Sequence, residues 1–294
     1  MKHTNTKYAL FGNNYQLEKS ASLTRVLQAL TNISAHISIE KSFYDFISQN
    51  IPVDFTPDEI ITNPDFTANF AISLGGDGTF LKCAELVGNK EIPIIGINTG
   101  RLGFLADNTP DEIETLLKEI SLGKYTIEKR CVLQVISPIP ELNIYPYGLN
   151  EIAVLKHDNS SMISIEVEVD NRYLNTYLSD GLIVTTPTGS TGYSLSNGGP
   201  IIAPLSGSLC ITAVAAHSLN VRPFVLNDEC TIKLKVCSRN HNFLLSIDGR
   251  SQSLNDNCTI TLRKAPYKVH IVRKYDKNYF DTLRNKLMWG ADKR

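Results

Sequence analysis

Near residue 125 the hydrophobic pattern of the chain changes period, and that change limits what each half can become. Upstream, short apolar runs alternate with stripes at helical spacing. Tyr8-Ala9-Leu10-Phe11 is strand-like and runs into Gly12-Asn13-Asn14, and Leu23, Val26, Leu27 and Leu30 then recur as one face of a helix. Ile37-Ser38-Ile39 alternates like a strand, and Phe43, Phe46 and Ile47 return to a helical stripe. Ala71–Leu74 reads as a strand stopping at a glycine loop, with a helix after it carrying Leu81, Ala84 and Leu86 to Gly88-Asn89. Ile92–Ile97 and Asp111–Leu122 repeat the strand-then-helix order. Such alternation predicts a parallel sheet covered on both faces.

Downstream the period is two. Ile163–Val169 alternates apolar with polar, Asp170-Asn171 supplies a turn, and Tyr173–Leu178 returns. Further strands are expected at Leu182–Thr186, Cys210–Val214, Thr231–Val236, Phe243–Ile247, Thr259–Leu262 and Val269–Val272. This half reads as all-β, with sheets packed face to face. Phe280 to Met288 closes the chain with Leu283 and Leu287 one helical turn apart.

Composition narrows the function classes. A formal net charge of −1 over 294 residues gives no global attraction to nucleic acid or an anionic membrane. No apolar run is long enough to span a bilayer, and the start of the chain has too few apolar residues for a signal-peptide core. The six cysteines are scattered without a C-x-x-C pair, as expected of free thiols in the cytoplasm. The histidines show no metal-ligand spacing, and His217, beside Ala213–Ala216, is expected in a core or interface.

The strongest local signal is Gly75-Gly76-Asp77-Gly78-Thr79, between a strand and a helix. Glycines there let backbone N–H groups approach anionic oxygens. The loop is neither a Walker A motif nor G-x-G-x-x-G. A carboxylate in such a loop suits a base for a hydroxyl nucleophile or a magnesium ligand, with Lys82 one turn on to offset it. The plainer alternative is that Asp77 caps the helix. Asn98-Thr99-Gly100-Arg101-Leu102-Gly103-Phe104-Leu105 also follows a strand, and two such strand ends form the crevice where parallel sheets bind ligands. Asp180-Gly181 and Thr185–Ser194 are dense in glycine and hydroxyls, able to bind a sugar or phosphate or merely to satisfy their own loop. Thr188-Gly189-Ser190-Thr191-Gly192 nearly spells a hydrolase elbow, but Thr188 replaces its first glycine. Asn150-Glu151 precedes a strand, and Asp248-Gly249-Arg250 looks like a hairpin turn.

Taken in order, these segments resemble the NAD kinase family over most of the chain. Gly75–Thr79 alone is shared with diacylglycerol and sphingosine kinases, and closely with phosphofructokinases; the Asp180–Ser196 stretch is much more specific. The resemblance implies a Rossmann-like α/β domain over residues 1–125 and 275–294, its C-terminal tail returning to it, and an all-β sandwich over 126–274. It implies NAD bound between the domains and phosphorylated on the 2′-hydroxyl of its adenosine ribose by ATP, with a divalent metal, usually magnesium. Asp77 would be the general base. Gly78 and Lys82 would lie near the phosphates, with Phe104 also at the site. Asn150 and Glu151 would contact adenine and ribose groups. Asp180, Thr191, Gly192, Tyr193, Ser194, Leu195 and Ser196 would line the dinucleotide site, as would Arg250. A homo-oligomer, dimer or tetramer, is implied too. Leu178, Ser161 and Arg250 depart from residues usual in the family, leaving the choice between NAD and NADH open. A lipid kinase would lack the Thr185–Ser196 pocket, and a non-catalytic NAD(P)-binding protein would lack Asp77.

Overall fold

A computed structural model describes residues 6–13, 20–52, 55–100, 103–157, 161–275 and 277–288. Arg101, Leu102 and Asn14 of the segments above lie outside the described residues, as do the first five residues and 289–294. The chain divides into two compact units, Met1–Lys129 with Val269–Arg294, and Arg130–Lys268.

The first unit carries β1 (Lys7–Gly12), β2 (His36–Glu40), β3 (Glu59–Ile61), β4 (Phe70–Leu74), β5 (Ile94–Ile97) and β6 (Thr126–Arg130). With them goes the last strand of the chain, Val269–Arg273, numbered β19. These form one sheet in the order β3-β2-β1-β4-β5-β19-β6. β1, β2, β3, β4 and β5 pair in parallel, and β19 pairs in parallel with β5 through Ile271 and Ile94. Its helices are α1 (Ser20–Asn32), α2 (Lys41–Asn50), α3 (Asp77–Val87) and α4 (Ile113–Ser121). Helix α1 buries Leu23, Val26, Leu27 and Leu30, the stripe legible in its sequence. Helix α2 is started by Glu40, whose carboxylate accepts from Phe43 N, a cap worth about 1 kcal/mol.

Two expectations shift here. Helix α3 buries Phe80, Cys83, Ala84 and Val87, so Leu81 and Leu86 flank the buried stripe instead of forming it. Residues 80, 84 and 87 keep true helical spacing, which 81 and 86 do not. Strands β6 and β19, whose sequences fall in the half that reads as all-β, belong to the sheet of the first unit. A buried apolar run such as Val269-His270-Ile271-Val272 fits either kind of sheet, because apolar character alone does not set strand direction.

The second unit continues with β7 (Leu133–Val135), β8 (Tyr147–Gly148), β9 (Glu151–Lys156), β10 (Ile163–Val169), β11 (Arg172–Ser179) and β12 (Gly181–Thr185). After a short helix α5 (Tyr193–Ser196) come β13 (Ser208–Val214), β14 (Phe224–Asn227), β15 (Ile232–Cys237), β16 (Asn242–Ile247), β17 (Arg250–Asn255) and β18 (Thr259–Lys264). They make two six-stranded sheets, β11-β10-β15-β18-β7-β8 and β14-β13-β12-β9-β16-β17. One core joins their inner faces, with Ile165, Val167, Leu234 and Ile260 from the first and Val154, Val184, Ile211 and Leu245 from the second. The β10–β11 hairpin turns on Asp170 and Asn171, both at positive φ, as its sequence predicts. His217 is exposed, not core: it follows β13 in the loop that leaves the sheet. The chain then closes with helix α6 (Tyr279–Leu287) in the first unit. Among the described residues, no helix is long and apolar enough to cross a membrane.

Candidate functional site

In the first unit the chemistry gathers where β4 and β5 end. Gly76 is the N-cap of α3 and Asp77 is its first residue, yet the Asp77 carboxylate makes no cap bond to the helix. It turns instead to the loop after β5, where it accepts three consecutive backbone N–H groups. Phe104 N donates to Oδ2 at 2.8 Å, and Leu105 N and Ala106 N donate to Oδ1 at 3.1 and 3.2 Å. The helix-cap alternative therefore fails. The cradle needs a glycine at position 103, because a Cβ there would lie 2.0 Å from Asp77 Oδ1. A carboxylate offers about four lone-pair directions, so three bonds leave one, on Oδ2. Gly78 and Lys82 are exposed in the first turns of the same helix, and the Phe104 ring lies under Lys286 at 5.9 Å.

The second unit builds a similar cradle around Asp248. The two-residue turn Asp248-Gly249 joins β16 to β17 with both φ values positive, at 48° and 81°. From that turn the carboxylate accepts Leu149 N at 2.7 Å, Asn150 N at 2.8 Å and Glu151 N at 3.1 Å. On the carbonyl side of the same peptides, Thr186 Oγ1 donates to Leu149 O at 2.6 Å and Thr185 Oγ1 to Asn150 O at 3.0 Å. Gly189 closes against this turn, where a Cβ would lie 2.2 Å from Asn150 O.

Fixed this way, Asn150 and Glu151 present polar atoms with nothing to bind. Asn150 Oδ1 and Glu151 Oε2 are buried with no hydrogen-bond partner among the described residues. Such groups are costly unless a ligand or water completes them. Burial, and then the charge of Asp248, pushes the Glu151 carboxyl up to about 8. At neutral pH it is mostly protonated and able to donate as well as accept. Burial also raises the Asp248 carboxyl, against the pull of its three N–H bonds.

The hydroxyl-rich segment divides between scaffold and surface. Ser190 is fully buried and donates to Pro187 O at 2.7 Å while accepting Ile202 N at 3.0 Å. Ser194 is also fully buried, sharing a 2.9 Å bond with Thr212 Oγ1. Gly192, Tyr193 and Ser196 are exposed, with Thr191 and Leu195 half-buried. Asp180 pairs with Lys156 at 2.8 Å, a partner that nothing in the sequence singled out. Arg250 turns its guanidinium into the fold, donating to Tyr147 O at 2.7 Å and Ile247 O at 3.2 Å and lying over the Tyr145 ring.

Sequence reasoning missed the donors Leu105 and Ala106, and it read Asp248 as a turn residue without its role in holding Asn150-Glu151. The usable signal was Asp-Gly between two alternating strands, which marks a type I′ turn and so fixes where the Asp side chain starts. Among the described residues, no cluster of three or more His, Cys, Asp or Glu side chains could hold a metal ion. The Asp77 oxygens are largely taken by N–H donors, so these residues do not fit a resident metal.

Comparison with known proteins finds matches to both parts of the chain. A family described as ATP-NAD kinase N-terminal domain matches residues 11–125, and its C-terminal domain counterpart matches 149–274. The chain is 49% identical to the NAD kinase of Bacteroides fragilis over 288 residues, 98% of this chain and 99% of that one. It is 43% identical to the NAD kinase of Flavobacterium psychrophilum over 292 residues, again 98% and 99%. Among solved structures, an NAD kinase from Archaeoglobus fulgidus in complex with ATP aligns with TM-score 0.73 and 25% identity, covering 96% of this chain and 98% of its own. Yeast NADH kinase complexed with NADH shares the fold, with TM-score 0.87 at 22% identity, covering 98% and 89%.

Proposed function

The chain belongs to the ATP-NAD kinase family, and from that premise we propose how its two cradles divide the work. The reaction is phosphoryl transfer from ATP to NAD, giving NADP. The acceptor is the 2′-hydroxyl of the adenosine ribose. A secondary hydroxyl is a weak nucleophile, so a positioned base contributes about 10²–10⁴-fold.

Asp77 is that base. What supports the role is the count of its bonds: three N–H donors fix the carboxylate, and one Oδ2 lone pair is left to receive the hydroxyl proton. The N-terminus of α3, with Gly78 and Lys82, suits the donor phosphates, since helix N-terminal N–H groups and a lysine both favour anionic oxygens. Phe104 offers a partly exposed ring beside the base. Magnesium comes as part of the substrate, carried on the ATP phosphates, because the described residues offer no cage for it.

In the second unit, Asn150 and Glu151 take the adenine and ribose groups, and their unpaired buried atoms are what support this. A protonated Glu151 can donate to a ribose oxygen that an ionised carboxylate would repel. Asp180, Thr191, Gly192, Tyr193, Leu195 and Ser196 line the dinucleotide site, while Ser194 and Arg250 brace it from behind. The six free cysteines favour a reducing cytoplasmic setting. The active form is a homo-oligomer.

The test is NADP formation from NAD and Mg-ATP by wild type and Asp77→Asn. Wild type is expected to make NADP, and the variant to lose about 10²-fold or more in kcat while still binding NAD. Full activity in the variant would remove the base role and leave the family assignment standing.

A further inference from the structure

We propose that Arg273 is a positioning residue for the Asp77 base, acting through the two peptide groups that lie between them; this rests on the reading of Asp77 as base. Arg273 ends β19, and its side chain is 9% exposed. Its Nη2 donates to Phe104 O and its Nη1 to Leu105 O, both at 3.3 Å. Those carbonyls belong to the same peptide groups as the N–H of Leu105 and the N–H of Ala106. Both N–H groups donate to Asp77 Oδ1. In a trans peptide the C=O and N–H point to opposite edges, so each unit binds the arginine on one edge and the aspartate on the other.

Two planar groups thus link a buried cation to the carboxylate. A cation on the carbonyl edge polarises the peptide and strengthens its N–H as a donor. The guanidinium is itself held by two carboxylates, one in the same loop and one on β6. Nη1 pairs with Asp107 Oδ2 at 2.6 Å, and Nε with Glu128 Oε2 at 3.2 Å. Lys277 donates to Asp107 O at 2.7 Å, tying down the carbonyl two residues beyond Leu105. A planar fork with five N–H donors can serve two carbonyls and two carboxylates together, and a lysine ammonium cannot reproduce that pattern. A buried ion network of this kind is weak evidence for stability, since an apolar replacement often folds as well. Its geometry at Asp77 is the better account of why an arginine stands here.

Arg273→Lys keeps the charge and removes the fork. Expected is a fall in kcat of about 10- to 100-fold, the size of effect that an ångström-scale misplacement causes. KM for NAD and for ATP should stay within about threefold, because ground-state binding is untouched. Hydrogen exchange should quicken at the Leu105 and Ala106 amides, while β1 and β4 keep their protection. Wild-type kcat in the variant would overturn the proposal. So would exchange that quickens evenly through the parallel sheet while KM rises, which is what a purely structural role predicts. If exchange quickens locally and kcat does not move, the positioning role also falls; Asp77→Asn then shows whether the base reading fell with it. Should Arg273→Lys not fold, Asp107→Asn removes the shortest anchor of the guanidinium, and the same local pattern, in smaller size, is required of it.

Discussion

Asp77 and Asp248 sit in different units, one at the start of a helix and one in a hairpin turn, yet each accepts three consecutive backbone N–H groups. The cradles differ on the far side of the peptides. Behind Asp77 the carbonyls of Phe104 and Leu105 meet a buried arginine; behind Asp248 the carbonyls of Leu149 and Asn150 meet threonine hydroxyls. They differ also in what they hold out. In the first unit the carboxylate itself is the presented group. In the second the carboxylate is the fastener, and the loop it fastens presents Asn150 and Glu151.

One backbone device therefore serves two ends, and the charge behind the peptides marks which. A carboxylate that is itself the presented group needs its loop held on both edges, and the guanidinium fork behind the loop does that. A fastener needs only paired hydrogen bonds, which neutral hydroxyls make without the cost of burying a charge. Changes in the two cradles should therefore separate into effects on turnover and effects on stability or affinity.

The largest effect is expected at Gly103. An added Cβ would fall 2.0 Å from Asp77 Oδ1, against a carboxylate that three backbone bonds keep in place. Gly103→Ala should lower kcat by about 100-fold with KM for NAD little changed, as steady-state kinetics would read. A rise in KM with kcat intact would mean that Asp77 belongs to binding, as Asp248 does here. Next in size is Asp248→Asn, whose amide cannot accept all three N–H groups. Loss of about 2–3 kcal/mol in denaturant unfolding is expected, with a higher KM for NAD. A variant with reduced kcat and normal stability would erase the contrast between the cradles.

The Glu151→Gln comparison is smaller and depends on pH. With its carboxyl at about 8 in the folded chain and near 4.5 when unfolded, Glu151 keeps its proton on folding between those values. The unfolded chain binds fewer protons there, so stability falls as pH rises through that window and levels off above it. Glutamine removes this slope. Relative to the variant, wild type should lose about 1–3 kcal/mol between pH 5 and pH 8.5 in urea unfolding. Parallel pH profiles would show that Glu151 is ionised in the fold and cannot donate.

Much of this was legible in the chain because it depends on local patterns. The β10–β11 hairpin follows from alternation around Asp170-Asn171, and the Asp77 loop from glycines between a strand and a helix. The Asn150-Glu151 pair carried no such signal, since what makes it a site is Asp248, 97 residues further on, reaching Glu151 N. Arg273 was hidden for the same reason. In sequence it is one more residue at the end of an apolar strand, and its meaning comes from the pairing of β19 with β5, where apolar character does not distinguish parallel from antiparallel. Ser194 shows the converse: a hydroxyl in a pocket-like segment turned inward to Thr212, because composition does not say which hydroxyls a loop spends on itself.

The smallest effect tests the neutral side of the second cradle. Thr186 is fully buried, and its hydroxyl both donates to Leu149 O and accepts Gly189 N at 3.3 Å. Thr186→Val keeps the shape and leaves that carbonyl and that amide short of a partner, so a loss of about 1–2 kcal/mol is expected in thermal or denaturant unfolding. Asp248 still holds the N–H side of the same peptides in this variant. KM for NAD should therefore stay within about twofold, because no contact to the ligand is lost. If KM rises sharply instead, the hydroxyls behind Asn150 aim the ligand-facing atoms just as Arg273 aims Asp77, and both cradles use the carbonyl edge of a peptide to set what its N–H edge holds.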